Sequence, residues 1–292
     1  MGYFFRSIAT RSFWRYALFS GSGFARVFSA VGVIWTFVEI LDFLKIYQRD
    51  EYSKFAVFPI LVAGIIHAAA RVRPVSRIVY KVPNRDLCVE VRIGDVLKAT
   101  GGIVISSSTT FDTDVSGGLI SQNSLQGQLT RDYFEGSTVE IDQQIEASLA
   151  GIPSEENARD FGKPREYPVG TVALVKSHGN SYYFVAMSRW NDTKNAYSDL
   201  GMIDVSLTNL WDYLIRKGEL QDISIPLIGT GRGRIQIPRK KMVERIAQSF
   251  LDASRDTQFS KKLFIYIHTG DASLYEINLF EIKDYLTQSL HL

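Results

Sequence analysis

Hydrophobic residues are concentrated near the start of the chain. In residues 27–41 the only ionisable side chain is Glu39, and in residues 55–70 it is His67. Apolar runs with so few ionisable residues are typical of helices that lie in an apolar environment. The polar stretch 42–54 separates the two runs, which indicates a pair of hydrophobic helices joined by a loop.

We predict that these runs are two transmembrane helices, at about residues 27–44 and 55–71, within a membrane region of residues 1–78. Each run is shorter than the roughly 20 residues of a typical span, but snorkelling arginines and local thinning of the bilayer can make up the difference. The alternative is a pair of buried helices in a soluble domain.

Basic residues flank both runs. They are Arg6, Arg11, Arg15 and Arg26 before the first run, and Arg71, Arg73, Arg77 and Lys81 after the second. The positive-inside tendency therefore predicts that both chain termini are cytoplasmic. Glu39 and His67 are costly in hydrocarbon, so we expect them to face a partner helix or a water-filled cavity, or to lie at the interface near a helix end.

Short apolar strands alternate with helical patterns in the rest of the chain, which predicts an α/β domain over residues 79–292 with a three-layer α/β/α arrangement and a mostly parallel or mixed sheet. The predicted strands are Leu87–Ile93, Ile103–Ile105, Val172–Val175, Tyr182–Met187, Ser224–Ile228 and Leu263–Ile267. The predicted helices are Ser124–Phe134, Val139–Leu149, Met202–Arg216, Arg239–Ala253 and Leu274–Leu286. Ligands of such sheets bind at the carboxyl ends of the strands.

The composition narrows the possible functions. With 292 residues, 46% of them hydrophobic, the chain can bury a large core, which argues against disorder. The net charge of +2 is too small to indicate nucleic acid as a partner. The single cysteine, Cys88, excludes an intramolecular disulfide and a cysteine-rich zinc site, and we predict no metal site.

The loop Gly229-Thr230-Gly231-Arg232-Gly233 follows the apolar strand that ends at Ile228. Glycines at alternate positions let main-chain N–H groups approach an anion without a Cβ in the way, and Arg232 and Arg234 add positive charge. The loop is therefore a candidate phosphate site, although a simple tight turn has the same pattern.

Three further segments are typical of a nucleotide site. Asp95 ends a strand and can accept a hydrogen bond from an exocyclic amine, or can cap the following turn. Ser106 and Ser107 offer hydroxyl groups at the end of the next strand. The segment Ser124-Leu125-Gln126-Gly127 opens a helix, whose free N–H groups can face a pyrophosphate, with Ser124 as a simple N-cap being the alternative.

These motifs occur along the chain together with the segment Tyr167–Ala173 and the run Pro-Leu-Ile-Gly-Thr-Gly at residues 226–231. In their order along the chain, they resemble a macro domain over residues 79–292. With the two hydrophobic runs ahead of it, the chain resembles the membrane-anchored macro-domain effector of the bacterial Thoeris antiphage system. The resemblance implies a protein of the bacterial inner membrane. It also implies that a TIR-domain partner consumes NAD and makes histidine-ADP-ribose, and that the effector binds this messenger, forms homo-oligomers and disrupts the lipid bilayer.

By the same resemblance, Asp95 holds the adenine, the amides near Ser124, Leu125, Gln126 and Gly127 meet one phosphate, and the loop Gly229, Thr230, Gly231, Arg232, Gly233 holds the other phosphate and the ribose. Where macro domains that hydrolyse ADP-ribose adducts carry Asn-Ala-Ala-Asn, this chain has Ser106-Ser107-Ser108-Thr109. We therefore expect binding of an ADP-ribose derivative without a cofactor or a catalytic residue, which makes the effector a sensor rather than an enzyme.

Two alternatives remain at this point. One is a membrane-tethered hydrolase of ADP-ribosyl or nucleotide substrates, with Asp112 or Asp114 as the base. The other is a static anchor, in which the glycine loop is only a turn. His268, Asp271 and Asn191 are candidates for selecting the group attached to ADP-ribose.

Overall fold

A computed structural model of the chain describes residues 5, 7–46, 53–72, 75–229, 235 and 237–290. Contacts divide the chain into two compact units. The first comprises Met1–Ser76 with Ala272–Glu281, and the second comprises Arg77–Asp271 with Ile282–Leu292.

The described residues in the amino-terminal part of the first unit include the helices α1 (Arg11–Phe19), α2 (Gly21–Phe43) and α3 (Ser53–Arg71). The hydroxyl of Ser20 caps α2 by accepting a hydrogen bond from the N–H of Gly23 at 2.9 Å. This cap is why α2 begins six residues earlier than the predicted span at residue 27.

One of the two predicted transmembrane helices is supported. Helix α2, at 23 residues, is long and apolar enough to cross a membrane, and none of its apolar window is buried. In α3 the apolar part, Val57–Arg71, is shorter than a full span. The described part of the chain therefore contains one helix of spanning length, and a two-span topology is not supported by it.

The second unit is built on a mixed sheet of eight strands. The strands of this sheet are β1 (Arg77–Lys81), β2 (Cys88–Ile93), β3 (Gly102–Ser108), β6 (Val172–Ser177), β7 (Asn180–Trp190), β8 (Ala196–Tyr197), β9 (Ile223–Pro226) and β10 (Lys262–Ile267). Their order is β1-β2-β10-β9-β3-β7-β6, and β8 pairs with β7. Strands β2, β10, β9, β3 and β7 run parallel to one another. At the two ends of this order, β1 is antiparallel to β2 and β6 is antiparallel to β7, as is β8. A separate two-stranded hairpin consists of β4 (Glu155–Glu156) and β5 (Arg165–Glu166).

Helices cover both faces of this sheet. They are α4 (Leu125–Tyr133), α5 (Val139–Leu149), α6 (Leu200–Lys217) and α7 (Arg239–Ala253), with α8 (Thr269–Leu274) and α9 (Leu279–Ser289) following. Along β7, Tyr182 and Phe184 pack in the core beneath α4 and α5. The intervening Tyr183 points to the other face, where its ring contacts Tyr213 of α6. The predicted three-layer α/β/α arrangement with a mixed sheet is thus confirmed.

The predicted helix Leu274–Leu286 is wrong, because two helices occupy this part of the chain. Helix α8 ends at Leu274, and Glu276 takes a left-handed φ of 48°. The side-chain oxygen of Asn278 then accepts a hydrogen bond from the N–H of Phe280 at 2.9 Å and starts α9. The apolar periodicity continues across the break, which is why the sequence pattern does not show it.

Candidate functional site

A cavity of about 420 Å³ lies at the carboxyl ends of the parallel strands of the second unit. Residues from the ends of β2, β3, β7, β9 and β10 line it, together with the start of α4. Such a volume falls in the range of about 300–1,000 Å³ that small-molecule sites occupy. Four strand spacings of about 4.8 Å separate β2 from β7, so the crevice extends across roughly 19 Å of sheet edge.

Asp95 forms one end of the cavity, immediately after β2. Its Oδ1 accepts a hydrogen bond from the N–H of Leu97 at 3.0 Å, so it does cap the short turn Val96–Lys98. Its Oδ2 has no hydrogen-bond partner among the described residues. The carboxylate can therefore cap the turn and still accept a hydrogen bond from a ligand, so the two interpretations of Asp95 are compatible.

Neighbouring side chains hold this end of the cavity rigid. The phenol of Tyr133 donates to the carbonyl of Leu97 at 2.6 Å. Burial raises the pKa of Tyr133, and the negative charge of Asp95 raises it further, so the phenol stays a donor. Arg92 donates to the hydroxyl of Tyr266, a second lining residue, at 3.3 Å. A hydrogen bond to Glu90 raises the pKa of Arg92 and keeps it charged.

The serines at the end of β3 line the middle of the cavity. Ser107 is only 3% exposed, and its hydroxyl has no hydrogen-bond partner in the described structure. The strand pairing shifts by one residue between Ser107 and Ser108, which is a β-bulge at the cavity edge. Buried hydroxyl groups normally have a partner, which makes the orphaned Ser107 hydroxyl a candidate to contact a polar group of a ligand.

The start of α4 forms the adjacent wall, where Ser124, Leu125 and Gln126 line the cavity. As the first two residues of the helix, Leu125 and Gln126 present N–H groups that no intrahelical carbonyl can accept.

Gly127 is different, because its N–H donates to the Ser124 hydroxyl at 3.1 Å and it is not among the lining residues. A Cβ at this glycine would lie 2.3 Å from the carbonyl oxygen of Ser121, so close backbone packing accounts for the residue. Ser124 is thus an N-cap, and the structure leaves Leu125 and Gln126 as the amides that can face an anion.

Gly229 is the one residue of the predicted phosphate loop that the structure describes, and it lines the cavity. Its φ of 78° is in the left-handed region that favours glycine. Thr230, Gly231, Arg232 and Gly233 lie outside the described residues, as does Arg234, so their contact with phosphate stays a prediction.

His268 and Asp271 also line the cavity, but at the Asp95 end. His268 follows Ile267, which pairs with Ile93 of β2. If the adenine lies at Asp95, the group attached to ADP-ribose lies at the opposite end of the cavity. His268 and Asp271 are then poorly placed to select that group. Asn191 is not among the lining residues, and its side-chain oxygen is taken by the N–H groups of residues 193 and 195.

The described lining residues include no lysine or arginine, and their carboxylates are Asp95 and Asp271. A diphosphate in this cavity would therefore depend on main-chain N–H groups and on the helix dipole of α4. The predicted contribution of Arg232 would add the positive charge that the described lining lacks.

Neither carboxylate proposed as a hydrolytic base lines the cavity. Asp112 is 2% exposed and accepts hydrogen bonds from the indole N–H of Trp190 at 2.7 Å and from the N–H of Lys163 at 2.7 Å, as well as from Ser108 and Thr110. Asp114 is exposed and accepts from the N–H of Gly117 at 2.8 Å.

Asp112 instead positions Trp190, which lines the cavity at its β7 end. Sequence reasoning missed this tryptophan. The predicted strand ended at Met187, whereas β7 continues for three more residues and ends at Trp190. Its position at a strand end was the only feature of the sequence that could have identified it.

Comparison with known proteins identifies the family. A family model described as Thoeris protein ThsA, Macro domain, matches residues 89–268, which is more than half of the chain. The chain belongs to the Thoeris ThsA macro-domain family. This membership confirms the resemblance on which the sequence prediction was based.

A curated member of the family is Thoeris protein ThsA of Bacillus amyloliquefaciens (strain Y2), which is 23% identical over 205 residues covering 68% of this chain and 67% of the relative. Among solved structures, the Oceanobacillus iheyensis macrodomain with MES bound is 17% identical and covers 73% of this chain and 100% of its own, with a TM-score of 0.49. The Trypanosoma brucei macrodomain in complex with ADP-ribose is 9% identical and covers 68% of this chain and 72% of its own, with a TM-score of 0.44.

Proposed function

We propose that this protein is an antiphage defence effector whose macro domain senses an ADP-ribose-derived messenger, histidine-ADP-ribose, made from NAD by a TIR-domain partner. Membership of the Thoeris ThsA family supports the setting. The observation that carries the proposal is the cavity itself, which has a free carboxylate oxygen of Asp95 at one end and the orphaned Ser107 hydroxyl in the middle.

The sheet order supports one direction for the ligand in this proposal. The adenine amine would donate to Oδ2 of Asp95, next to β2. The diphosphate would face the first amides of α4 and the loop that starts at Gly229. The distal ribose and its histidine would then lie towards β7, beside Trp190 and Ser198.

A sensor is favoured over a hydrolase because the cavity lacks the proposed bases. Asp112 is consumed by structural hydrogen bonds, and Asp114 lies on the surface. A sensor needs only that the ligand bind one state of the protein more tightly than another. In this proposal the preferred state is a homo-oligomer that disrupts the bacterial inner membrane and causes abortive infection.

The membrane part of the proposal is supported by the length and apolar surface of α2. Crossing by α3 as well, with both chain termini in the cytoplasm, would agree with the basic residues that flank the two helices. Nucleic acid has no role in this proposal.

The test is ligand-triggered leakage from liposomes that contain the purified full-length protein. We expect histidine-ADP-ribose to release an entrapped dye and Asp95→Asn to abolish the release. An asparagine can still cap Leu97 through its oxygen, but its amide presents a donor where the adenine amine also donates. Asp86→Asn is the matched control, because Asp86 is exposed and pairs with Lys261. Consumption of the ligand without dye release would instead favour the membrane-tethered hydrolase.

A further inference from the structure

A second cavity, of about 430 Å³, lies between α2 and α3 in the first unit, separate from the macro-domain site. Its lining residues are Ala25, Arg26, Ser29, His67 and Arg71. Two arginines and a histidine therefore converge on one cleft, and none of its lining residues is acidic. We propose that this cleft, here called the α2–α3 cleft, binds the phosphate group of an anionic lipid.

Arg26 provides the most specific indication of an anion. Its Nη1 atom is buried and has no hydrogen-bond partner within the described part of the chain, although the guanidinium lies 5.9 Å from the ring centroid of Tyr16. A buried charged donor without an acceptor costs free energy, which a phosphate oxygen at this point would offset. The planar guanidinium matches phosphate geometry better than any other side chain does.

Helix packing directs the basic side chains into the cleft. A Cβ at Gly64 would lie 3.1 Å from the side chain of Val31, so the two helices approach closely there. His67 and Arg71 follow Gly64 at spacings of three and seven residues, which places them on the same face of α3. The cleft opens next to this contact, with Ser29 offering a hydroxyl from α2.

The position along α2 fits a lipid phosphate. Arg26 and Phe43 are 17 residues apart, so at 1.5 Å per residue they are separated by about 26 Å. That distance is close to the roughly 27–30 Å thickness of the hydrocarbon core of a bilayer. With Phe43 at one boundary, Arg26 lies at the other, where lipid phosphates begin.

Charge on the neighbouring helix supports a lipid rather than a soluble anion. Arg11 and Arg15 of α1 are exposed, and α1 contains no acidic residue. Basic pockets between membrane helices on the cytoplasmic side typically bind anionic headgroups. The cleft also accounts for His67, whose polar ring is costly in hydrocarbon but can donate a hydrogen bond to a phosphate.

This inference rests on the proposed membrane insertion of α2, so insertion is measured first and separately, by resistance of the full-length protein to alkaline extraction from membranes. The detergent-solubilised protein is then titrated with phosphatidylglycerol or phosphatidylcholine, and bound lipid is counted by native mass spectrometry. We expect preferential binding of phosphatidylglycerol, weakened at least about tenfold by Arg26→Gln combined with Arg71→Gln.

Arg216→Gln is the matched control, because it removes an exposed arginine of the second unit that does not line the cleft, and it should leave the lipid affinity nearly unchanged. Ala25→Leu is a second test, which fills the cleft and keeps every charge, and it should weaken binding as well. The inference is contradicted by equal affinity for the two lipids, by equal losses in the cleft variant and in Arg216→Gln, or by unchanged binding in Ala25→Leu.

Inorganic phosphate distinguishes the two sources of the anion. If millimolar phosphate does not displace phosphatidylglycerol from the wild-type protein, the lipid is the ligand, as we propose. If phosphate binds and phosphatidylglycerol does not, the cleft holds a soluble anion and the proposal is wrong. Release of the protein from membranes by alkaline extraction would refute membrane insertion itself. An inserted protein without lipid preference would refute only the lipid site.

Discussion

Two buried serines offer a test in which stability and affinity should respond differently. Ser107 in β3 is 3% exposed and Ser224 in the adjacent β9 is fully buried, and the hydroxyl of each lacks a hydrogen-bond partner among the described residues. Only Ser107 lines the cavity. Substituting each by alanine therefore removes the same chemical group from two similar places, one of them facing the proposed ligand.

The magnitudes follow from the cost of burying an unpaired hydroxyl, which is about 1–3 kcal/mol. After the loss of some packing, we expect both alanine variants to be more stable by about 1 kcal/mol, which corresponds to a rise in Tm of roughly 2–4 °C for a unit of this size. If a ligand phosphate or hydroxyl pairs with Ser107, Ser107→Ala should weaken binding by about 1–1.5 kcal/mol, or roughly tenfold. Ser224→Ala should leave affinity unchanged.

The assay combines thermal unfolding of the full-length protein without ligand and calorimetric titration with histidine-ADP-ribose. The predicted pattern is higher stability for both variants and lower affinity for Ser107→Ala alone. Equal affinity of Ser107→Ala and the wild type would refute the assignment of this hydroxyl to the ligand. A loss of stability in both variants would show that their hydroxyl groups are satisfied after all.

Four further predictions concern other parts of the protein. Trp190→Phe removes a donor from the buried carboxylate of Asp112 and should lower stability by about 1–3 kcal/mol, as measured by urea denaturation; unchanged stability would contradict the positioning role. Gly231→Glu should abolish ligand binding in calorimetry without unfolding the protein, and unchanged affinity would refute the phosphate loop. Burial raises the pKa of Cys88, so iodoacetamide should label it more slowly than free cysteine at pH 8, with a rate that still rises above pH 9; labelling as fast as free cysteine would contradict this. Truncation before Arg77, which keeps β1, should leave a soluble, ligand-binding fragment that does not kill cells when the ligand is supplied, and killing by this fragment would exclude a role for the membrane helices.

Local sequence patterns predicted most of the second unit because its elements are strongly periodic. Helices Val139–Leu149 and Arg239–Ala253 have the predicted bounds, since each carries a clear apolar stripe. Strands β1, β4, β5 and β8 were not predicted. Strands β4, β5 and β8 have two residues each, too few for an alternating pattern. Strand β1 does alternate exposed and buried residues, but its Arg77 and Lys81 were assigned to the basic flank of the second hydrophobic run.

The site was predictable in outline, because the carboxyl ends of parallel strands meet at one edge of a sheet. Asp95, Ser107 and Gly229 were identified in this way and line one cavity. The role of Gly127 could not be foreseen, since only the fold brings the Ser121 carbonyl against it. The position of Trp190 was equally hidden, because it depends on hydrogen bonds to a carboxylate 78 residues away in the chain.

The most direct test of the central claim is an experimental structure of the full-length protein with saturating histidine-ADP-ribose. The account predicts one ligand in the macro-domain cavity, with its adenine within hydrogen-bond distance of Asp95 and its histidine beside Trp190. A ligand bound elsewhere on the protein, or an empty cavity at saturation, would contradict the account.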